Sequence, residues 1–199
     1  MHSDWEQHYR EGHMPWDKGQ AAPPLLEYLE RHEPPVGRIL VPGCGLGHDV
    51  RALAQASPGS EVIGLDISPT AVSKAKEMAA VGRETYVEGD LFALPEEWSG
   101  SFDAFWEHTC FCAIDPGMRD AYVAAVTGLL RPGGIFFAVF YLDPYDDEHQ
   151  AGDGPPHGVT AEELDARFGR DFVIEDRWTP TRSYAGREGC EEVRRYRRK

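Results

Sequence analysis

Arg38-Ile-Leu-Val-Pro-Gly-Cys-Gly-Leu-Gly47, running on into His48 to Gln55, is a short apolar run, a turn with Gly43, Gly45 and Gly47, and a helix-like segment. A glycine turn of this kind lets backbone approach a ligand closely, and the helix start behind it offers unpaired N–H groups. Taken alone, the unit serves dinucleotide enzymes and plain packing equally well. The alternation continues downstream. Glu61 to Leu65 reads as a second strand ending at Asp66-Ile-Ser68, and the spacing predicts a helix from Pro69 to Val81 with Ser68 as N-cap and Pro69 at its first position. Glu84 to Glu88 and Phe102 to Trp106 read as strands, Met118 to Leu130 as a helix, and Gly134 to Tyr141 as a fifth strand. Strands alternating with helices predict an α/β fold, a mostly parallel central sheet covered by helices on both faces.

Past Tyr141 the pattern changes. Asp143 to Val159 is rich in Pro, Gly and Asp, too polar for a core and long enough to work as an active-site loop. Thr160 to Phe168 predicts a short helix with Thr160 as N-cap and Glu163 completing a capping box, and Phe172 to Trp178 and Glu191 to Tyr196 are further strand candidates.

With 199 residues and 41% hydrophobic content the chain supports one core, so a single domain over residues 1–199 is expected. The formal net charge of −14 repels polyanions, which argues against nucleic acid as a partner. The basic run Arg194, Arg195, Arg197, Arg198 and Lys199 reads as a solvated terminus. No apolar stretch is long enough for a membrane span, and Met1 to Arg10 is charged and aromatic rather than signal-like, so a cytoplasmic location is expected. Cys44, Cys110, Cys112 and Cys190 stand in unlike contexts and are expected as free thiols. No metal is expected, because Cys110-Phe-Cys112 is too tight for a zinc knuckle. Nothing in the sequence sets an oligomeric state.

Three further features accompany the glycine turn. Asp66 follows Gly47 by roughly 20 positions, the spacing at which a strand-end carboxylate accepts from both ribose hydroxyls. Glu88-Gly-Asp-Leu91 places a second carboxylate, Asp90, after the third strand, either to accept from an adenine amino group or to cap a turn. Leu129-Leu-Arg-Pro-Gly-Gly134 ends a helix and turns directly into an apolar strand. Together they resemble the class I, Rossmann-like S-adenosylmethionine-dependent methyltransferases.

Pro15-Trp-Asp-Lys-Gly19, Val41-Pro-Gly-Cys-Gly45 with Asp49, and Thr109-Cys-Phe-Cys-Ala-Ile114 narrow the resemblance to the thiopurine S-methyltransferase superfamily. Phe111-Cys-Ala-Ile114, Gly154-Pro-Pro156 and Pro180-Thr-Arg182 look most like its thiol, thiocyanate and halide branch, and the likeness runs from about Trp5 to Arg198. The resemblance implies S-adenosylmethionine as cofactor and a small-molecule acceptor. It implies cofactor contacts at Trp5, Trp16, Gly43, Gly45, Asp49, Asp66, Ile67, Asp90, Leu91 and Glu107, and a lid over the cofactor from residues 1–32. Trp5 and Trp16 would otherwise be ordinary aromatic packing.

Two departures stand out. Val41 occupies the place of the acidic residue that usually opens the class I glycine motif, leaving Asp49 to meet the methionine amino group. His108 stands where plant halide and thiocyanate relatives tend to carry Tyr, and its residue type fits a base, an anion ligand or a structural role. Arg182 is the second catalytic candidate, as an attractor of anionic acceptors, against an ordinary solvated loop arginine.

An activated sulfonium methyl needs chiefly an aligned, desolvated nucleophile, so transfer to a small soft acceptor (thiol, thiopurine, thiocyanate, hydrosulfide or halide) requires no essential base. Two other readings share the turn: an NAD(P)-dependent oxidoreductase, which leaves Asp90 and the Pro-Gly-Gly turn unexplained, and a non-catalytic cofactor-binding module.

Overall fold

A computed structural model describes residues 4–199; Met1 to Ser3, at the start of the expected lid, lie outside the described residues. Helices α1 (Trp5–Glu11) and α2 (Pro23–Arg31) precede an alternating series: β1 (Arg38–Pro42), α3 (His48–Ala56), β2 (Glu61–Asp66), α4 (Pro69–Glu77) and β3 (Glu84–Glu88). Then follow β4 (Phe102–His108), α5 (Arg119–Leu129), β5 (Leu130–Tyr141), α6 (Ala161–Phe168), β6 (Phe172–Trp178) and β7 (Glu191–Arg198). Among the described residues the strands form one seven-stranded sheet in the order β3-β2-β1-β4-β5-β7-β6. β1 to β5 run parallel, and β7 is antiparallel to both its neighbours.

The direction of strand succession reverses between β1 and β4. In such sheets the crevice beyond the strands' C-terminal ends at the reversal is where ligands bind. The glycine turn after β1 and the end of β4 at His108 both open onto it.

The central strands read as continuous apolar runs because both faces are covered. Trp106, Phe137 and Val193 pack with Leu25 and Tyr28 of α2, Val50 and Leu53 of α3 and Val72 of α4. Phe105, Phe136 and Tyr196 pack on the other face with Tyr122 and Val126 of α5 and Leu164 and Phe168 of α6.

Several local expectations need correction. α4 stops at Glu77 rather than Val81, because Met78 is already extended and the Glu84 carboxylate accepts from the amides of Val81 and Gly82, drawing the chain into β3. α5 begins at Arg119, after a 3-10 turn over Pro116–Met118. β5 starts at Leu130, so Pro132-Gly-Gly134 lies within the strand at an irregularity in its pairing with β4. Thr160 caps α6 as expected, accepting from Glu163 N at 3.1 Å, but the Glu163 carboxylate binds Arg119 and Arg167 instead of closing a capping box. The basic C-terminal run is not a solvated tail. It forms most of β7, where Arg194 is fully buried and reaches Asp165 at 2.7 Å, the Tyr196 hydroxyl at 2.9 Å and the Ala161 carbonyl at 3.2 Å.

Candidate active site

The glycine turn is held by its own backbone. Cys44 N donates to Leu65 O at 3.0 Å, and Gly45 N donates to Asp66 Oδ2 at 2.8 Å. Gly45 has φ +53, in the left-handed region, and a Cβ there would lie 2.8 Å from the Tyr9 hydroxyl. Glycine is required twice over at this position, by conformation and by space.

Asp66 closes β2 with its carboxylate 5% exposed, Oδ1 accepting from Ser68 N at 2.9 Å. Burial raises its pKa, and the amides of Ser68, Gly45 and Ile67 offset only part of that. Each oxygen retains acceptor capacity, which suits a pair of hydroxyl donors. Ile67 follows it, 55% exposed, so an apolar surface flanks the carboxylate. Asp90, Leu91 and Phe92 follow β3, whose Glu88 pairs with Asp66, bringing that loop beside Ile67. Asp90 Oδ1 caps its own turn by accepting from Phe92 N at 2.9 Å, and its other oxygen is the one left for a ligand.

The N-terminal segment lies over this edge. Glu6 on α1 accepts from Ser68 Oγ at 2.6 Å, Thr70 Oγ1 at 2.7 Å and Thr70 N at 3.1 Å, at the first turn of α4. Lys74 Nζ donates back to Tyr9 O at 3.1 Å. Trp5 and Trp16 meet edge to face at 5.2 Å, and Trp16 Nε1 donates to the Tyr9 hydroxyl at 3.2 Å. The two tryptophans therefore support Tyr9, which lies against the glycine turn at Gly45, while Tyr86 of β3 lies against it at Gly47.

The other half of the crevice is built on β4. Side chains alternate along the strand, so Trp106 and His108 share one face and Phe105 and Glu107 the other. Glu107 does not face the cofactor side as expected. Its buried carboxylate accepts from Cys110 N at 2.9 Å, Phe111 N at 2.7 Å and the Tyr122 hydroxyl, and burial lifts its pKa to about 7. Those amide contacts pin a tight bend in which Thr109 adopts φ +62, a conformation that costs a non-glycine residue of order 1 kcal/mol.

His108 Nδ1 lies 3.1 Å from Asp49 Oδ2. The same oxygen accepts from Trp106 Nε1 at 2.8 Å, and Oδ1 accepts from Ala22 N at 2.7 Å. Burial alone would raise the pKa of Asp49, but His108, Ala22 and Trp106 outweigh it and hold the carboxyl below its ordinary value. Asp49 thus meets three internal donors, two on Oδ2 and one on Oδ1, which fix its orientation toward Trp106 and His108. His108 Nε2 is buried and has no hydrogen-bond partner among the described residues.

The segment between β6 and β7 roofs this side. The Tyr184 ring stands 5.9 Å from that of His108, and its hydroxyl donates to Gln20 O at 2.7 Å. Arg187 sits over Tyr141 at 4.9 Å and Tyr184 at 5.6 Å, and 3.4 Å from Glu191. Arg182, by contrast, pairs with Glu30 of α2 at 2.7 Å and is 44% exposed, and Arg187 is the arginine of this segment that packs beside Tyr184. The Asp143–Val159 loop crosses nearby, His157 N donating to Cys112 O at 2.7 Å while Arg119 binds the carbonyls of His157 and Gly158. Tyr9, Tyr184 and Arg187 were not singled out from sequence; an aromatic-rich N-terminus is the only hint of the first, and the other two lie in a polar loop with no motif.

Comparison with known proteins agrees with this layout. The sequence model of the family described as Thiopurine S-methyltransferase (TPMT) matches residues 1–181. The chain is 40% identical over 160 residues to thiocyanate methyltransferase 1 of Brassica oleracea, covering 78% of this chain and 66% of that protein. It is 36% identical over 165 residues to probable thiol methyltransferase 2 of Arabidopsis thaliana, covering 81% and 69%. It is 28% identical over 188 residues to a thiopurine S-methyltransferase of Xanthomonas campestris pv. campestris, covering 86% and 84%. The matched region thus spans about two thirds of the length of the plant relatives. Among solved structures, Burkholderia thailandensis 1,6-didemethyltoxoflavin-N1-methyltransferase, with S-adenosylhomocysteine bound, superposes with TM-score 0.71 at 21% identity, covering 98% of this chain and 85% of that one. A structure described under conversion of a disulfide bond into a thioacetal group during echinomycin biosynthesis superposes with TM-score 0.77 at 24% identity, covering 98% and 90%. Both show the shared fold. With the family model matched over residues 1–181, about nine-tenths of this chain, the chain belongs to the thiopurine S-methyltransferase family.

Proposed function

We propose that the protein moves the methyl group of S-adenosylmethionine onto a small soft nucleophile. The observation that carries this reading is the pairing of two half-sites across the sheet reversal: the glycine turn bonded to Asp66, and His108 with its free Nε2 at the end of β4. The residues fit the cofactor, since Asp66 offers acceptors for ribose hydroxyls, Ile67 and Leu91 offer apolar surface, and the glycine turn carries no side chain at Gly43, Gly45 or Gly47 to block a close approach. When bound, S-adenosylmethionine supplies an electrophilic methyl group on a sulfonium.

The protein's own contribution is binding, alignment and exclusion of water. Residues 4–32 act as the lid expected of residues 1–32, latched by Glu6, and residues 143–159 bound the acceptor pocket within one methyltransferase domain. Family membership leaves the dinucleotide oxidoreductase reading without support. The acceptor is a small molecule; a net charge of −14 disfavours nucleic acid, and no helix among the described residues is long and apolar enough to cross a membrane. A cytoplasmic location goes with this reading.

The test is incubation with S-adenosylmethionine and, separately, iodide, thiocyanate, hydrosulfide, a thiopurine and a catechol, quantifying S-adenosylhomocysteine. Release with soft acceptors and none with catechol is expected. Silence with every soft acceptor, in protein shown by calorimetry to bind the cofactor, would overturn the proposal.

A further inference from the structure

The soft-nucleophile reading leaves open whether the acceptor arrives as an anion or with a proton to lose. The arrangement around His108 bears on that choice, which itself rests on the methyltransferase reading.

An ionised carboxylate only accepts, so the 3.1 Å contact with Asp49 Oδ2 places the imidazole proton on Nδ1. In a neutral imidazole the other nitrogen then carries a lone pair. Nε2 is that nitrogen, buried, unpartnered, and on the sheet face roofed by Tyr184. Leaving a buried acceptor unmet is costly unless a ligand or water donates to it. Asp49 cannot swing away to relieve this, because Ala22 N and Trp106 Nε1 hold it in place. The charged and titratable neighbours are Asp49 from α3, Glu107 of β4 on the opposite face, and Tyr184 with Arg187 from the β6–β7 segment. Asp17 and Glu191 approach Tyr184 from the N-terminal segment and from β7.

We infer that Asp49 and His108 form a general-base dyad, and that the acceptor is a protonated thiol, a neutral R–SH or hydrogen sulfide, whose proton is removed at Nε2. The thiol S–H bond breaks and its proton passes to Nε2, giving an imidazolium paired with Asp49. The sulfur electron pair forms the new S–CH3 bond as the sulfonium C–S bond breaks, and that bonding pair leaves on the sulfur of S-adenosylhomocysteine. Nε2 then returns the proton to water, so R–SH and the sulfonium give R–S–CH3, the neutral thioether and one proton. Iodide and thiocyanate carry no proton and gain nothing from this step.

The experiment compares kcat/KM for 2-mercaptoethanol and for iodide in the wild type and in His108→Gln, which retains a donor toward Asp49 but has no basic nitrogen. A positioned base contributes roughly 10²–10⁴-fold. The expected result is a loss on the thiol at least about 10²-fold larger than the loss on iodide at neutral pH, with the thiol deficit shrinking as pH rises and the acceptor ionises in solution. Equal losses on both acceptors would overturn the dyad while leaving the methyltransferase reading intact; no turnover of either acceptor by the wild type would overturn both. Should His108→Gln fail to fold, the wild type decides alone. With the dyad, kcat/KM for total thiol stays within a few-fold between pH 8.5 and 7.5. If it instead follows the thiolate fraction, falling tenfold per pH unit below the thiol pKa, no base operates.

Discussion

Asp66 and Glu107 are both buried carboxylates at strand ends, and their partners separate their roles. Asp66 receives one backbone amide on each oxygen and keeps capacity facing the crevice, whereas every contact of Glu107 is internal. Asp66→Ala removes charge-assisted acceptors for the cofactor and is expected to weaken S-adenosylmethionine binding by about 1–3 kcal/mol in calorimetry; unchanged affinity would remove Asp66 from the site. Glu107 predicts a pH effect on stability instead. Its folded pKa of about 7 lies above the ordinary carboxylate value. Its contribution is therefore fully present below about pH 4.5 and is lost as pH rises through 7, by up to about 3 kcal/mol. Glu107→Gln, which can still accept from the two amides, should lose less stability between pH 5 and 8 than the wild type in urea titrations. Parallel losses would mean that Glu107 ionises outside this range.

At the scale of elements, α2 braces the His108 half of the site twice. The amide of Ala22, its N-cap, ends on Asp49, and its buried Glu27 accepts from Trp178 Nε1 at 2.9 Å, Thr181 N at 2.8 Å, Thr181 Oγ1 at 2.7 Å and Arg182 N at 3.2 Å. One carboxylate thus anchors the start of the segment that carries Tyr184 and Arg187 over His108. Glu27→Gln weakens four charge-assisted bonds without touching the cofactor edge. Steady-state kinetics should show acceptor KM raised up to roughly tenfold and KM for S-adenosylmethionine nearly unchanged, since about 1.4 kcal/mol is one decade. A rise in both constants would point to general loosening of the fold. The lid is a comparable device on the opposite side, where Glu6 ties α1 to the first turn of α4 beside Asp66.

For the whole molecule, β7 is the strand that completes the sheet. It lies between β5 and β6 and carries the buried Arg194 to Asp165 of α6. Removing residues 191–199 leaves two strand edges and a core face uncovered, and the truncated chain should show no cooperative thermal transition by circular dichroism. A wild-type melt would show β7 to be dispensable. The α/β alternation, the glycine turn, the strand-end position of Asp66 and the Ser68 and Thr160 caps were all legible in the sequence, because each depends on neighbours within a few residues along the chain. Periodicity, φ preference and capping are local physics. The pairing of Arg182 with Glu30, the turning of Glu107 away from the crevice, the internal contacts of Asp49 and the burial of Arg194 were decided only by tertiary structure. In each case the deciding partner lies far away in sequence or across the sheet, as Glu30 does for Arg182, Tyr122 for Glu107 and Asp165 for Arg194. Side-chain charge alone does not specify which of many distant counter-charges the folded chain will bring within hydrogen-bond reach.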